Sequence, residues 1–449
     1  MISDFSYFIS LVTANFFPSL NIKVILLTFP LLSILSCWIY IFANFIRSNN
    51  IFKVTTTIKK TLDNKKKYNN NKQALPYVSV IVPARDEQDS IERCLISLME
   101  QDYPNFEIIA VDDNSTDTTL IKMKKIQQKY QKQKNYPALN IIELKSKPDD
   151  WTGKTWAAEN GYFASHNVIL LFVDADCYYE KNCILSAISY MINNEIDVLT
   201  GYPFFELKDF WSKISMPLWK LMSITFGKNA SNVNNPRSNV AYLMGCFFMI
   251  KRDVFEKVGT FRSVRNAIQE DEALGIRIKQ SGYKLRLIQM NNLIKALWSR
   301  DLSTLWHGIG RTIVPMILKK KRNVMINFFA IFWMITLPFV ILLPYTIIVS
   351  LYGINISDKN DFYYNCGILI LSLIIFFMAI ISITLNSVKT YKISPLYTLL
   401  YPLGSIFLVI AYLASMIPLL LSVSKNSSKK TIQWKGRVYT YKRIGGSMV

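Results

Sequence analysis

Glu107-Ile108-Ile109-Ala110-Val111 is a short apolar run of β type, and it ends in Asp112-Asp113-Asn114-Ser115. The same figure recurs downstream, where Val168-Ile169-Leu170-Leu171-Phe172-Val173 ends in Asp174-Ala175-Asp176. Carboxylates at the carboxyl ends of neighbouring parallel strands point into the crevice where an open α/β sheet binds its ligand. Working outward, Tyr77-Val78-Ser79-Val80-Ile81-Val82-Pro83 reads as a buried strand stopped by proline. A helical pattern follows over 90–101, with Ile91, Cys94, Leu95 and Leu98 on one face and Asp89 or Ser90 as its cap. Further helices are expected over 117–134, from Trp151-Thr152-Gly153-Lys154 to about 165, and near 181–193, with a strand at Asp197-Val198-Leu199-Thr200-Gly201. Strand and helix alternating over short connections give a parallel α/β layout. Residues 207–228, rich in tryptophan, read either as an in-plane amphipathic helix or as a core helix.

The flanks are of another kind. Residues 23–46, 327–352, 363–385 and 395–423 are apolar stretches, each long enough for the roughly 20 residues that cross a bilayer core. The first is too long for a signal-peptide core and is read as a retained anchor. Lys53, Lys59, Lys60, Lys65, Lys66, Lys67 and Lys72 follow the first stretch, and Lys319-Lys320-Lys321-Arg322 precedes the second. The positive-inside rule puts both groups, and the polar middle between them, in the cytoplasm of a multi-pass integral (plasma) membrane protein. These placements account for much of the net charge of +21, and nothing resembles a nucleic-acid reading helix, so no nucleic-acid partner is expected. The six cysteines show no C-x-x-C pair, and His166 and His307 are the only histidines, which speaks against zinc chemistry.

Three features carry chemistry. Two aspartates one residue apart, Asp174 and Asp176, can hold a divalent cation that in turn carries a diphosphate. Without a metal or base to compensate, two such acids at a buried strand end would repel each other. Gly153-Lys154 at a helix start suits an anion, because backbone N–H groups and the helix dipole point the same way; the alternative is an ordinary turn with a solvated lysine. Gln269-Glu270-Asp271-Glu272 opens a helix, where acids commonly serve the dipole, but one of them can act as a general base. Together these are the means to transfer a group from a nucleotide-activated donor beside a membrane.

The order of motifs resembles a known family. Val80-Ile81-Val82-Pro83-Ala84-Arg85-Asp86-Glu87, then Asp112-Asp113-Asn114-Ser115-Thr116-Asp117, Gly153-Lys154, Asp174-Ala175-Asp176 and Glu270-Asp271 look like the family 2 glycosyltransferases with a GT-A fold. The resemblance covers about residues 76–300. Trp151-Thr152-Gly153-Lys154-Thr155-Trp156-Ala157-Ala158 is also similar to membrane-bound members that glycosylate apolar lipids, the hopanoid-associated and carotenoid-acid glycosyltransferases. The tail Trp434-Lys435-Gly436-Arg437-Val438-Tyr439 resembles the end of those proteins and of ceramide glucosyltransferases. The resemblance implies a Rossmann-like nucleotide-diphospho-sugar transferase domain flanked by transmembrane helices. It also implies a nucleotide-diphospho-sugar donor, a lipid acceptor, Mg2+ or Mn2+, and inversion at the anomeric carbon.

Carried over residue by residue, Pro83, Arg85 and Glu87 line the nucleotide pocket. Asp113, rather than Asp112 beside it, contacts the base, and Lys154 approaches the nucleotide or diphosphate. Asp174 and Asp176 form the D-x-D motif, with Asp176 as the direct metal ligand. Asp271 is the catalytic base, with Glu270 beside it. Processive polysaccharide synthases carry Q/R-x-x-R-W before the later membrane segments. Here Trp306-His307-Gly308-Ile309-Gly310-Arg311-Thr312 has the arginine but no tryptophan after it. Arg311 is expected to assist the leaving diphosphate, and the absent tryptophan weakens the polymer-synthase alternative. A non-catalytic membrane scaffold is the remaining alternative, against which the intact acids and Lys154 speak.

The expected organisation is an anchor region 1–46, a basic linker 47–75, a catalytic domain 76–322, membrane helices within 323–424 and a basic tail 425–449. Three spans after a cytoplasmic domain would put the tail outside. Its lysines and arginines argue inside, and Trp434–Tyr439 is expected near the active site. The segment with Pro402, Gly404 and Pro418 is the candidate for a re-entrant piece that resolves the conflict.

Overall fold

The structure, a computed structural model, describes residues 22–51, 75–133, 135–225, 229–267, 269–319 and 359–421. It also describes 429–434, 437–444 and 447–448, with a few residues between 328 and 347. Of the expected linker, 52–74 lie outside the described residues, as does most of the stretch 327–352. The chain divides into two compact units, one of residues 46–213, 226–321 and 411–449, the other of 1–45, 214–225 and 322–410.

The first unit holds strands β1 (Val78–Ala84), β2 (Phe106–Asp112), β3 (Ala138–Glu143), β4 (Ile169–Phe172), β5 (Cys177–Tyr179), β6 (Val198–Tyr202), β7 (Phe204–Leu207), β8 (Phe248–Lys251), β9 (Leu285–Gln289) and β10 (Ile294–Ser299). Seven of them form one sheet in the order β3-β2-β1-β4-β8-β6-β9, and β5-β10-β7 form a small second sheet. β1 pairs parallel with β2 from Val78↔Phe106 to Ala84↔Asp112, and with β4 from Val78↔Ile169 to Ile81↔Phe172. β8 runs antiparallel to both β4 and β6, so the sheet is mixed rather than wholly parallel.

Alternation along the strands fills both faces. Val80, Val82, Ile108, Ala110 and Leu171 pack on one side with Cys94, Leu95 and Leu98 of the helix Ile91–Met99 and Ile184 and Ile188 of the helix Cys183–Asn193. Ile81, Leu170, Phe172 and Ile250 face the other side, against Ala158 of the helix Gly153–Phe163 and Leu274 and Ile278 of the helix Glu270–Gln280. Helices on both faces explain why these strands read as near-continuous apolar runs. The contact is close at Gly161, where a Cβ would stand 2.4 Å from Ile81 Cγ2.

The strand assignments hold with corrections. β1 runs through Pro83 instead of stopping there. Val173 N donates to Ile81 O, and Asp113 N donates to Ala84 O, so Pro83 lacks its N–H on the β4 side, past the end of that ladder. The two acid-tipped strands are not hydrogen-bonded neighbours: β1 lies between them. Neither Asp89 nor Ser90 caps the first helix, since Ser90 stands at the N-cap position without a side-chain cap bond and its hydroxyl turns back to Glu87.

In the other unit, Thr28–Ile46 of the helix Ile22–Ile51, Cys366–Tyr391 and most of Pro395–Ile417 are long and apolar enough to cross a membrane. Residues 214–225 of the helix Phe210–Thr225 form a buried helix of this unit. Ile214 and Leu218 are wholly buried, Asn386 Nδ2 donates to Pro217 O at 2.9 Å, and Lys220 Nζ donates to Thr390 Oγ1 at 3.1 Å. Of the two readings for 207–228, the core helix therefore describes this part.

Candidate active site

Chain order reverses at β1, which goes out to β2 and β3 on one side and returns to β4 on the other. Loops leaving the β1 and β4 carboxyl ends diverge there and open a crevice. Asp112 and Asp174 sit at ends separated by two strand spacings, roughly 10 Å.

On the β2 side two loops are laced together. Asp86 and Asn114 take positive φ (49° and 55°), which short polar side chains tolerate. Arg85 Nη1 donates to Asp113 O at 2.6 Å and Asn114 O at 2.8 Å. Thr116 N donates to Asp86 Oδ1 at 2.7 Å, and Glu87 N donates to Thr119 Oγ1 at 2.8 Å. The Glu87 carboxylate accepts from Ser90 Oγ at 2.9 Å and lies 3.7 Å from Arg300. Thus Arg85 and Glu87, expected as pocket lining, fix the loops that shape the crevice, and Pro83 sits within β1.

The Asp pair is divided. Asp112 is buried; its Oδ2 accepts from Ser115 N at 3.1 Å, while its Oδ1 is buried with no hydrogen-bond partner. A buried acceptor left in that state is costly and marks a place where a ligand donor fits. Asp113, equally buried, has its carboxylate gripped by Arg437 from the C-terminal tail. Nη1 makes a short ion pair to Oδ2 and Nη2 reaches Oδ1 at 3.0 Å. Burial raises the Asp113 carboxyl above its usual range despite the opposing pull of Arg437.

On the β4 side one ammonium joins two motifs. Lys154 Nζ stands 2.7 Å from Asp174 Oδ1 and 3.1 Å from Glu270 Oε1. Its turn is fixed locally: the Thr152 side chain accepts from Thr155 N, and Thr155 Oγ1 donates to Arg265 O at 2.8 Å. Burial works against the Lys154 charge, but Asp174, Glu270 and Asp271 outweigh it and hold its pKa well above the usual lysine value. Next to this group Asp271 is pushed up to about 7, first by burial and then by the Glu270 charge; Lys154 and the Glu272 N–H, at 2.8 Å, pull the other way. A carboxyl half-ionised at neutral pH is matched to proton transfer.

Asp176 is exposed and accepts from Cys177 Sγ at 3.5 Å. Among the described residues no three His, Cys, Asp or Glu side chains cluster to hold a metal by themselves. The donor set still fits Mg2+ or Mn2+, because Mg2+ is ordinarily bound by one or two carboxylates plus substrate phosphates and water. Arg311 lies in the helix Leu302–Lys319, but its side chain is outside the described residues. Two contributors escaped the sequence reading as site residues. A Cβ on Gly245 would stand 2.6 Å from Lys154 Nζ and 3.2 Å from Asp174 Oδ2, so a bare backbone closes that side. The only sequence signal is a glycine in the apolar run Leu243-Met244-Gly245-Cys246-Phe247. Arg437 was visible only as part of the tail motif.

A mixed sheet with acids at its switch point and helices on both faces is the GT-A arrangement of nucleotide-sugar transferases. Residues 79–259 match the family described as Glycosyl transferase family 2, and the chain carries a glycosyltransferase domain of that family. It is 27% identical over 223 residues to the probable glycosyltransferase YdaM of Bacillus subtilis, covering 49% of this chain and 50% of that one. It is 26% identical over 212 residues to the 4,4'-diaponeurosporenoate glycosyltransferase of Staphylococcus aureus, covering 47% and 52%. The chain thus spans about half the length of the curated relatives it matches. The mannosyltransferase PcManGT of Pyrobaculum calidifontis, solved with GDP-Man and Mn2+, aligns at 15% identity and a TM-score of 0.42 over 84% of this chain and 99% of its own.

Proposed function

We propose that the protein transfers one sugar from a nucleotide-diphospho-sugar to a membrane lipid, with inversion. The observation that carries this reading is the Lys154–Asp174–Glu270 contact with Asp271, a carboxyl raised to about 7, beside it. In this reading the donor's diphosphate lies at Lys154, whose fixed charge is worth most where negative charge develops on the leaving group. Asp271 takes the proton from an acceptor hydroxyl as that oxygen attacks the anomeric carbon, a contribution of roughly 10²–10⁴-fold. Asp174 and Asp176 would hold a Mg2+ or Mn2+ ion, which when bound supplies Lewis-acid charge to the diphosphate. The free Oδ1 of Asp112 suits an N–H on the nucleotide base.

The lipid acceptor is supported by the apolar helices in the same chain and by the name of the Staphylococcus aureus relative, a 4,4'-diaponeurosporenoate glycosyltransferase. The positive groups around 53–72 and 319–322 favour a cytoplasmic catalytic domain. Protein purified in detergent should release nucleoside diphosphate from one of a panel of nucleotide sugars. No release from any of them, with the protein folded, would sink the reading.

A further inference from the structure

The C-terminal tail forms strands β11 (Lys429–Trp434) and β12 (Arg437–Ile444), paired antiparallel from Lys429↔Lys442 to Trp434↔Arg437. Arg437 is therefore the residue at the inner end of this hairpin. Its guanidinium meets both carboxylate oxygens of Asp113, and Nη2 lies 3.3 Å from the Asp113 carbonyl. The two side chains are 16% and 4% exposed, so the pair is largely dry. A planar guanidinium on a buried carboxylate is the strong, directional form of ion pair. The same backbone carbonyl of Asp113 accepts from Arg85 Nη1, so Arg437 and Arg85 converge on one residue at the β2 carboxyl end. Lys147, from the loop after β3, also lies in the field of Arg437: burial first and that charge second lower its pKa.

Contacts of this kind decide which carboxylate is open to a ligand. Asp113 is occupied by the tail, while Asp112 keeps a buried acceptor without a partner. We propose that the C-terminal hairpin is a strap of the nucleotide crevice, held through Arg437 on Asp113. Arg437 is then a positioning residue: it fixes the β2 end so that Asp112 can meet the nucleotide. This rests on the proposed nucleotide-sugar reading but makes a demand of its own, since a tail that merely trails from the last apolar helix has no effect on nucleotide affinity.

The test uses the full chain in detergent and nucleoside diphosphates, UDP and GDP in turn, as probes. Arg437→Gln should weaken binding of whichever probe the wild type takes by roughly tenfold or more, the scale of a lost charge-assisted pair. Arg437→Lys should recover part of it. Donor KM should rise with kcat nearly unchanged, and Asp113→Asn combined with Arg437→Gln should be no worse than the single changes added. Unaltered or tighter binding in Arg437→Gln would overturn the strap. A second measurement does not depend on nucleotide: trypsin should cut Lys442 and Arg443 faster in Arg437→Gln than in the wild type at equal thermal stability. Equal cutting rates would show the strap is undocked and overturn the proposal. If the wild type binds no nucleoside diphosphate yet shows the protection, the functional reading fails while the docked strap stands.

Discussion

Replacing Lys154 by methionine keeps the length of the side chain and removes a charge that joins the two acidic motifs. Two ion pairs go with it, at 2.7 Å and 3.1 Å, leaving Asp174, Glu270 and Asp271 together without that cation. Two effects follow. The leaving diphosphate loses a fixed cation, an interaction whose removal costs on the order of 10²–10³ in kcat where charge develops in the transition state. The base also changes. Lys154 pulls the Asp271 carboxyl down from where burial and Glu270 push it, so its loss moves that carboxyl further above about 7. At neutral pH a smaller fraction of Asp271 is then ionised and able to accept a proton. The wild-type rate should climb as pH passes through about 7, and the climb in Lys154→Met should lie at higher pH. A pH profile of kcat/KM for nucleoside diphosphate release reads both effects at once. A reduced rate with an unshifted profile would show that Lys154 only binds diphosphate and does not tune the base; an unchanged rate would remove it from the site.

Asp271→Asn should lower kcat by roughly 10²–10⁴-fold and leave donor binding largely intact, because the proton is taken only during reaction; lost nucleotide binding with kcat preserved would point to Glu270 as the base. Asp176→Asn should abolish donor turnover while the thermal transition persists, and EDTA should do the same to the wild type; full activity in EDTA contradicts the metal role. Since the strap places the tail beside Asp113, a single cysteine at Thr440 in a cysteine-free background should resist an impermeant thiol reagent on intact cells. Labelling from outside would place the tail away from a cytoplasmic site.

Much of the sheet was legible because β1, β2 and β4 are buried on both faces and so read as unbroken apolar runs, two of them ending in acids. Pro83 misled because a proline inside a strand removes a single N–H, and here that N–H would point past the end of β4. The reversal of β8 was not legible: Phe248-Met249-Ile250-Lys251 is a short buried run whose direction depends on the path of the connecting chain, not on local pattern. The acids and Lys154 were found by residue type, but their meeting was not, since it requires two helix starts and a strand end to be folded together. The Arg437–Asp113 pair joins residues 324 apart, and no periodicity reaches that far.

The most direct test of the central claim is mass spectrometry of lipid extracts from cells expressing the wild type or Asp271→Asn. The account predicts a lipid heavier by one sugar residue, present with the wild type and absent or strongly reduced with the variant. A long glycan polymer in its place, or identical lipids in the two extracts, would contradict it.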